Sequence, residues 1–187
     1  MKKVYLIHGW GGSDFSEGWF GWLKKELKNR KIKIITFNMP NTNYPKIEEW
    51  VRFLEKNIKN VGKDTYFIGH SIGCQTIIRF LEKLPESTKV GGVVFVAGWF
   101  NLKDSAYTAE EEKEIAKPWI ENPINLEKVK KHAQNFLAVF SDNDDCVPLS
   151  DSKLFKKRLN AEIVIKHNEG HFNETKEIKE LINFIEK

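Results

Sequence analysis

Short hydrophobic runs alternate along this chain with longer segments in which hydrophobic residues recur every three or four positions. The short runs are rich in β-branched residues, and several are apolar at consecutive positions. This pattern is typical of parallel strands that are covered on both faces. It predicts six strands, at Val4–Ile7, Ile32–Phe37, Thr65–Ile68, Val90–Val96, Phe136–Phe140 and Glu162–Ile165.

The segments between these runs show the periodicity of amphipathic helices. Two clear examples are the series Ile47, Trp50, Val51, Leu54 and Ile58 and the series Ile178, Leu181, Ile182 and Ile185. A further helix is predicted from Ile72 to Leu84, where Pro85 ends it. The sequence Thr108-Ala109-Glu110-Glu111 has the form of a capping box, which predicts the start of a short helix.

The alternation of strands and helices predicts an α/β fold, a three-layer α/β/α sandwich around a mostly parallel six-stranded sheet. No repeat or linker divides the 187 residues, so residues 1–187 are predicted to form a single domain. The segment from Trp99 to Asn135 lacks clean alternation. It is too short for a second domain, but it could cover part of a site.

Composition narrows the classes of function. Hydrophobic residues make up 41% of the chain, charged residues 30%, and the formal net charge is +4, as in an ordinary globular protein. No block of basic residues is interleaved with aromatic ones in a way that suggests base stacking, so no nucleic-acid partner is expected. The apolar runs are too short for a signal peptide or a membrane span, so we expect a cytoplasmic setting without a membrane partner.

The two cysteines, Cys74 and Cys146, show neither a disulfide framework nor a metal-ligand spacing. No metal is therefore expected. Cys74 is expected in the core and Cys146 in a partly exposed loop. Neither has an evident base partner, so neither is favoured as a nucleophile.

The most informative motif is Gly69-His70-Ser71-Ile72-Gly73, between a predicted strand and a predicted helix. Gly-x-Ser-x-Gly in this context is the pattern of a nucleophile elbow, a strained turn that exposes a serine at the carboxyl end of a strand. The glycines let the strand and the helix approach without a side-chain clash. Ser71 is therefore predicted to be a nucleophile.

A serine hydroxyl needs a base within hydrogen-bond reach, and histidine suits this role at neutral pH. In hydrolases with this elbow, the acid and then the histidine follow the serine in the chain. His171 fits, because it follows a glycine in the loop after the last predicted strand. His8 and His70 come too early. His132 is expected to be a solvated surface residue, and His167 could be structural.

The acid is expected in the loop after the fifth predicted strand, Asp142-Asn143-Asp144-Asp145. Asp144 is favoured, because the turn that follows it through Pro148 would direct its side chain inward. Asp142 and Asp145 stay open as alternatives. Their competing explanation is loop solubility or local hydrogen bonding in a turn.

Attack by serine creates an oxyanion that needs preorganised N–H donors. The expected donors are the backbone N–H groups of Ile72, after the nucleophile, and of Trp10, in the glycine-rich loop after the first strand. That loop does not fit a dinucleotide motif, because position 14 is Asp14 rather than glycine. Trp10, Trp99 and Phe100 are candidates for a substrate pocket, with simple core packing as the alternative.

Several ordered segments together resemble one family. They are His8–Gly12 with Trp19–Leu23, Met39–Asn41 with Pro45 and Trp50, Gly69–Gly73, Ser141–Asp144 with Val147–Pro148, and Gly170–Asn173. On these motifs the chain resembles α/β hydrolases without a cap domain, and more narrowly the small serine hydrolases related to retinoblastoma-binding protein 9 and the YdeN-like proteins. The resemblance implies Ser71, Asp144 and His171 as a catalytic triad. This family often has proline after the aspartate. Here that position is Asp145, which could raise the pKa of its neighbour or of His171.

These observations predict a serine hydrolase, specifically a carboxylesterase that acts on small acyl esters through an acyl-enzyme intermediate and needs no cofactor. Small esters are favoured because no cap domain encloses a long chain. Two alternatives stay open. One is thioesterase, amidase or acyltransferase chemistry at the same site, and the other is a protein-binding module that retains the hydrolase scaffold.

Overall fold

A computed structural model of the chain describes residues 1–13 and 18–187, so Asp14 lies outside the described residues. The strands are β1 (Lys3–Ile7), β2 (Lys33–Thr36), β3 (Thr65–His70), β4 (Gly92–Val96), β5 (Phe136–Ser141) and β6 (Glu162–Lys166). The helices are α1 (Gly18–Asn29), α2 (Ile47–Asn57), α3 (Ile72–Lys83), α4 (Glu110–Glu121), α5 (Leu126–Lys130), α6 (Asp151–Leu159) and α7 (Lys179–Glu186). A 3₁₀ turn at Asp104–Ala106 precedes α4. None of these helices is both long and apolar enough to cross a membrane.

The sheet has the strand order β2-β1-β3-β4-β5-β6, and every neighbouring pair is parallel. The predicted six-stranded sheet is confirmed, and its parallel character extends to every pair. The chain adds β2 on one side of β1 and then crosses to place β3 on the other. Ligands in open α/β sheets bind at such a switch point, outside the carboxyl ends of the strands. The loops after β1 and β3 therefore meet at a favoured position for a site.

Two hydrophobic cores cover the two faces of the sheet. One contains Trp50 of α2, Phe80 of α3 and Phe155 of α6. The other contains Trp19 of α1 and Leu181 of α7. The predicted three-layer arrangement is confirmed, and it explains why the strands are apolar on both sides.

Two strands begin later than their hydrophobic runs suggest. The N–H of Ile32 donates to the carbonyl of Leu27 at 2.9 Å, so Ile32 belongs to the turn that ends α1. Val90 forms an isolated bridge to Ala133, ahead of the regular ladder of β4. In both cases a hydrophobic residue is needed next to the sheet but does not take part in its ladder.

The register of the predicted capping box is wrong by one residue. The prediction paired Thr108 with Glu111. In the structure α4 begins at Glu110, and the carboxylate of Glu112 accepts hydrogen bonds from the N–H of Thr108 (2.5 Å) and of Ala109 (3.3 Å). Three glutamates follow one another at positions 110 to 112, and the position at which the helix starts decides which of them caps it.

The prediction that His132 is solvated is also wrong. Its side chain is fully buried, and its Nδ1 donates to the carbonyl of Thr88 at 2.9 Å. The neighbouring lysines suggest a surface segment. However, the carbonyl of His132 accepts the N–H of Val90, which brings this turn against the chain before β4 and covers the ring.

Candidate active site

Ser71 occupies a strained turn between β3 and α3. Its backbone has φ 52° and ψ −123°, outside the regions that L-residues normally adopt. Its N–H donates to the carbonyl of Val96 at 2.9 Å, which fixes the turn against β4. Such strain persists only where the surrounding structure imposes it, and it is concentrated at functional sites.

The flanking glycines are required by close backbone contacts. A Cβ on Gly69 would lie 2.7 Å from the backbone nitrogen of Cys74, and a Cβ on Gly73 would lie 2.6 Å from the carbonyl oxygen of His8. No side chain fits at these distances. The sequence therefore folds into the elbow because strand, turn and helix can pack with only glycine at these two positions.

A Gly73→Ala variant should be destabilised by about 3 kcal/mol, at the upper end of overpacking costs, because the added Cβ would clash with the backbone carbonyls of Ile7 and His8. The matched control is Gly21→Ala in α1, where an added Cβ meets nothing within 4 Å. That variant should be neutral or slightly more stable, since alanine favours a helix. Urea unfolding of both proteins measures the difference. Equal stability of the two variants would contradict the packing argument.

His171 lies between Ser71 and Asp144. Its Nε2 is 2.9 Å from the Oγ of Ser71, and its Nδ1 is 2.9 Å and 3.1 Å from the two carboxylate oxygens of Asp144. In this arrangement Nδ1–H donates to the carboxylate, and Nε2 can accept the proton of the hydroxyl. The structure thus brings together the three residues that the sequence selects.

The carboxylate of Asp144 is almost fully buried, with 3% of the residue exposed. It accepts the N–H groups of Cys146 (2.8 Å) and Val147 (2.9 Å). Burial alone would raise the pKa of Asp144. The hydrogen bond to His171, the electrostatic interaction with His171 and the two backbone amides outweigh this effect, so the pKa of Asp144 is lowered. The sequence-based idea that a second carboxylate raises the pKa of this neighbour is therefore wrong for Asp144. Its carboxylate stays ionised beside the histidine.

The other two aspartates of the loop lie elsewhere. Asp142 pairs with Nδ1 of His167 at 2.5 Å and accepts the N–H of Asn168 at 3.0 Å. These bonds, the one from Asn168 first, lower the pKa of Asp142. Asp145 is exposed at the surface. Of the three candidates, Asp144 is the one whose carboxylate contacts His171.

His70 has a structural role that sequence reasoning missed. Its Nε2 donates to the backbone carbonyl of His171 at 2.8 Å, and the two rings lie 5.1 Å apart. The serine elbow therefore directly contacts the loop that carries His171. The local sequence gives no sign of this contact, because His70 and His171 are distant in the chain.

A second network of hydrogen bonds joins the loop that carries Asp144 to the loop that carries His171. The hydroxyl of Ser141 donates to Oδ1 of Asn143 at 2.7 Å and accepts the N–H of Glu169 at 3.0 Å. Oδ1 of Asn143 also accepts the N–H of Gly170 at 2.9 Å. Ser141 and Asn143 lie in a segment that the sequence motifs include, but the motif gives no indication of these contacts.

Lys103 fixes the acid loop from another direction. Its Nζ donates to the carbonyl of Asp144 at 2.6 Å, and its backbone N–H donates to the carbonyl of Cys146 at 2.9 Å. Nothing in the local sequence predicts this, because the two segments are distant in the chain. The loop that carries Asp144 is thus held by contacts on both sides.

The backbone N–H groups of Ile72 and Trp10 are the predicted oxyanion donors. Ile72 is the first residue of α3, so its N–H has no carbonyl within the helix to bond. Trp10 lies in the loop after β1, which the indole of Trp10 fastens by donating to the carbonyl of Asn43 at 3.0 Å. Within the described part of the chain, neither N–H donates to a protein group. Both residues line the cavity that contains Ser71.

A cavity of about 580 Å³ opens above Ser71. Trp10 and Trp99 line it, as expected of pocket residues. Phe100 does not. Its ring packs 4.6 Å from the ring of Phe155, and its N–H donates to a carboxylate oxygen of Asp151 at 2.6 Å, so it is turned away from the cavity.

The segment from Trp99 to Asn135 forms one wall of this cavity. It contributes Leu102, Tyr107 and Ile115, together with the side of α4 that carries Glu111 and Glu112. The expectation that this segment covers part of a site agrees with its position. It supplies apolar side chains next to the cavity that contains Ser71.

Asp144, Cys146 and His171 place potential metal-ligand atoms within 4.8 Å of one another. However, Asp144 and His171 already bond each other. Burial and the charges of Asp145 and Asp144 raise the pKa of the Cys146 thiol to about 12. The thiol therefore stays protonated at neutral pH, which makes it a poor ligand and a poor nucleophile. Cys74 is buried in the core, as predicted.

Comparison with known proteins places this geometry in context. The family model described as serine hydrolase matches residues 4–183. YdeN of Bacillus subtilis, whose name describes it as a hydrolase, is 31% identical over 173 residues, covering 92% of this chain and 87% of YdeN. Serine hydrolase RBBP9 of Rattus norvegicus is 28% identical over 187 residues, covering 98% of this chain and 93% of RBBP9. The crystal structure of the B. subtilis ydeN gene product matches with a TM-score of 0.87 at 28% identity, over 100% of both chains.

Proposed function

Since this chain belongs to the serine hydrolase family, we propose that it is a carboxylesterase in which Ser71, His171 and Asp144 form the catalytic triad. The observation that carries the proposal is the continuous hydrogen-bond chain from Ser71 Oγ through His171 to Asp144, with 2.9 Å at each link. Small acyl esters are the proposed substrates, because a cavity of about 580 Å³ is open directly above the serine.

In the first half of the reaction, Ser71 Oγ attacks the ester carbonyl carbon while Nε2 of His171 takes the hydroxyl proton. The backbone N–H groups of Trp10 and Ile72 stabilise the oxyanion of the tetrahedral intermediate. Asp144 holds the imidazole in the required tautomer and stabilises its positive charge. The intermediate collapses when His171 gives its proton to the alcohol oxygen, which leaves an acyl group on Ser71.

In the second half, a water molecule enters where the alcohol has left. Nε2 of His171 takes one of its protons, and the resulting hydroxide attacks the acyl-enzyme carbonyl. The same N–H groups stabilise the second oxyanion. His171 returns the proton to Ser71 Oγ as the carboxylic acid departs, so the enzyme is regenerated. The triad itself supplies both acid and base, and the mechanism uses no metal or organic cofactor.

Trp10 and Trp99 are proposed to contact the substrate, because both line the cavity next to Ser71. Phe100 is not proposed to contact the substrate, since its ring packs against Phe155. A cytoplasmic setting stays a prediction of the sequence.

The proposal is tested first by labelling with a fluorophosphonate probe, read by intact mass. Wild-type protein should carry one adduct, because only an activated serine reacts readily with the probe. Ser71→Ala should carry none. The matched control is Ser150→Ala, an exposed serine outside the cavity, which should label like the wild type. A folded wild type without an adduct would contradict the proposal and favour the protein-binding alternative.

A substrate panel separates the possible acyl-transfer reactions. Matched esters, thioesters and amides with the same short acyl group should be compared by kcat/KM, and esters are expected to be turned over fastest. A thioester or amide that clearly exceeds its matched ester would replace the esterase assignment. Added alcohols that divert the acyl group from water would indicate a transferase.

A further inference from the structure

A second cavity, of about 490 Å³, adjoins the one above Ser71. The two share Tyr44, Glu111 and Ile115 in their linings. Most of the remaining wall surface is apolar and comes from residues such as Pro45, Ile47, Pro118 and Trp119, and the lining also includes the charged residues Lys46, Glu48 and Glu114. This acyl groove, as we call it, runs between the chain that leads into α2 and one side of α4.

The walls of the acyl groove are fastened to each other and to the core. The indole of Trp119 donates to the carbonyl of Pro45 at 3.0 Å, which joins α4 to the chain before α2. The buried guanidinium of Arg79 donates to the carbonyls of Trp119 (2.9 Å) and Asn122 (3.0 Å) at the end of α4. The groove is therefore preformed, and a ligand need not create it by moving α4.

The direction of the groove decides which half of an ester could enter it. His171, which protonates the departing alcohol, follows β6 at one edge of the sheet. The wall that contains Pro45 and Ile47 follows β2 at the opposite edge. An ester carbonyl bound over Ser71 with its alcohol oxygen toward His171 therefore directs its acyl chain toward the groove.

We propose that the acyl groove binds the distal part of a medium-length fatty acyl chain, so that esters of hexanoic to decanoic acid are better substrates than acetate. This inference rests on the proposed esterase function and makes a medium-length acyl chain, rather than a small acyl group, the preferred one. The cavity above Ser71 holds the carbonyl and the first carbons, and the apolar groove removes the following methylenes from water. Each methylene that it buries should raise kcat/KM by up to about fourfold.

The test uses p-nitrophenyl esters from acetate to decanoate, at concentrations below micelle formation, with kcat/KM measured for each. Wild-type kcat/KM should rise from acetate to octanoate. Ile115→Gln places an amide at the junction of the two cavities and should lower the octanoate-to-acetate ratio of kcat/KM by about tenfold. Ile47→Gln, at the other wall, should lower the same ratio and serves if the first variant folds poorly.

Ile120→Gln is the matched control. Ile120 lies on the same helix, α4, is 39% exposed, and lines neither cavity. It introduces the same chemical change, so the octanoate-to-acetate ratio should stay at the wild-type value. An equal loss in Ile115→Gln and Ile120→Gln would show that helix damage, not the groove, causes the effect.

The two proposals fail in distinguishable ways. If no ester of any length is hydrolysed, the esterase function itself is wrong. If acetate is hydrolysed but kcat/KM does not rise with chain length, the acyl groove proposal is overturned while the triad proposal stands. An octanoate preference that Ile115→Gln and Ile47→Gln leave unchanged would also overturn it, because the chain would then bind elsewhere.

Discussion

Ser71→Ala is expected to lower kcat for ester hydrolysis by about 10⁵–10⁶-fold, because it removes the atom that forms the acyl-enzyme. The fold should persist, since alanine occupies less space than serine and the turn is imposed by the packing of Gly69 and Gly73. A residual rate above that of water is expected, because the N–H groups of Trp10 and Ile72 still stabilise an oxyanion. Steady-state hydrolysis of a p-nitrophenyl ester measures the loss, and thermal unfolding checks the fold.

The control for this variant is Ser150→Ala, which should retain wild-type kcat. Turnover by Ser71→Ala within tenfold of the wild type would mean that another group attacks the ester. The partly exposed Cys146 does not offer that route, because its thiol stays protonated at neutral pH. Retained turnover would therefore contradict the proposed mechanism, in which the acyl group is carried by Ser71.

Asp144→Asn should lower kcat by about 10⁴-fold. The carboxylate accepts Nδ1–H of His171 and so keeps Nε2 free to take the proton of Ser71. An amide in its place can donate to Nδ1, which favours the tautomer with a proton on Nε2. It also removes the negative charge that stabilises the imidazolium. The measurement is kcat for the same ester, with a proton-NMR spectrum of the imidazole as a second readout.

The matched controls are the other two aspartates of the loop. Asp145→Asn changes an exposed carboxylate one residue away. Asp142→Asn changes a carboxylate that pairs with His167 instead. Both variants should keep kcat within a few-fold of the wild type, as expected for exposed charges that do not contact the base. If Asp145→Asn lost as much kcat as Asp144→Asn, the conclusion that Asp144 alone orients His171 would be wrong.

Local sequence determined the sheet, the serine elbow and the position of the histidine. Hydrophobic runs identify buried strands because a strand that is covered on both faces needs apolar side chains at consecutive positions. The elbow can be recognised because its close backbone contacts admit only glycine at positions 69 and 73. His171 follows from chain order, since the loops after parallel strands must meet at one edge of the sheet.

The choice among three neighbouring aspartates needed more than local sequence. Asp142, Asp144 and Asp145 have similar neighbours in the chain. The turn predicted after Asp144 favours this residue as the acid, because it would direct the side chain inward. The structure adds the physical reason, because only Asp144 is buried beneath the amides of the turn and faces His171. Lys103 and His70, which hold the two loops, could not be found this way, since their partners are distant in the chain.

The sequence by itself therefore determined which helices and strands form, and which residues lie at the carboxyl ends of the strands. Tertiary structure alone decided which way individual side chains turn. Phe100 packs inward against Phe155, and His132 is buried despite its lysine neighbours. It also decided that a groove exists, since Tyr44 and Ile115 share a wall only after α4 folds against the chain before α2. Periodicity indicates which face of a helix or strand is apolar, whereas the shape of a cavity and the burial of a single polar residue depend on segments that meet only in the folded protein.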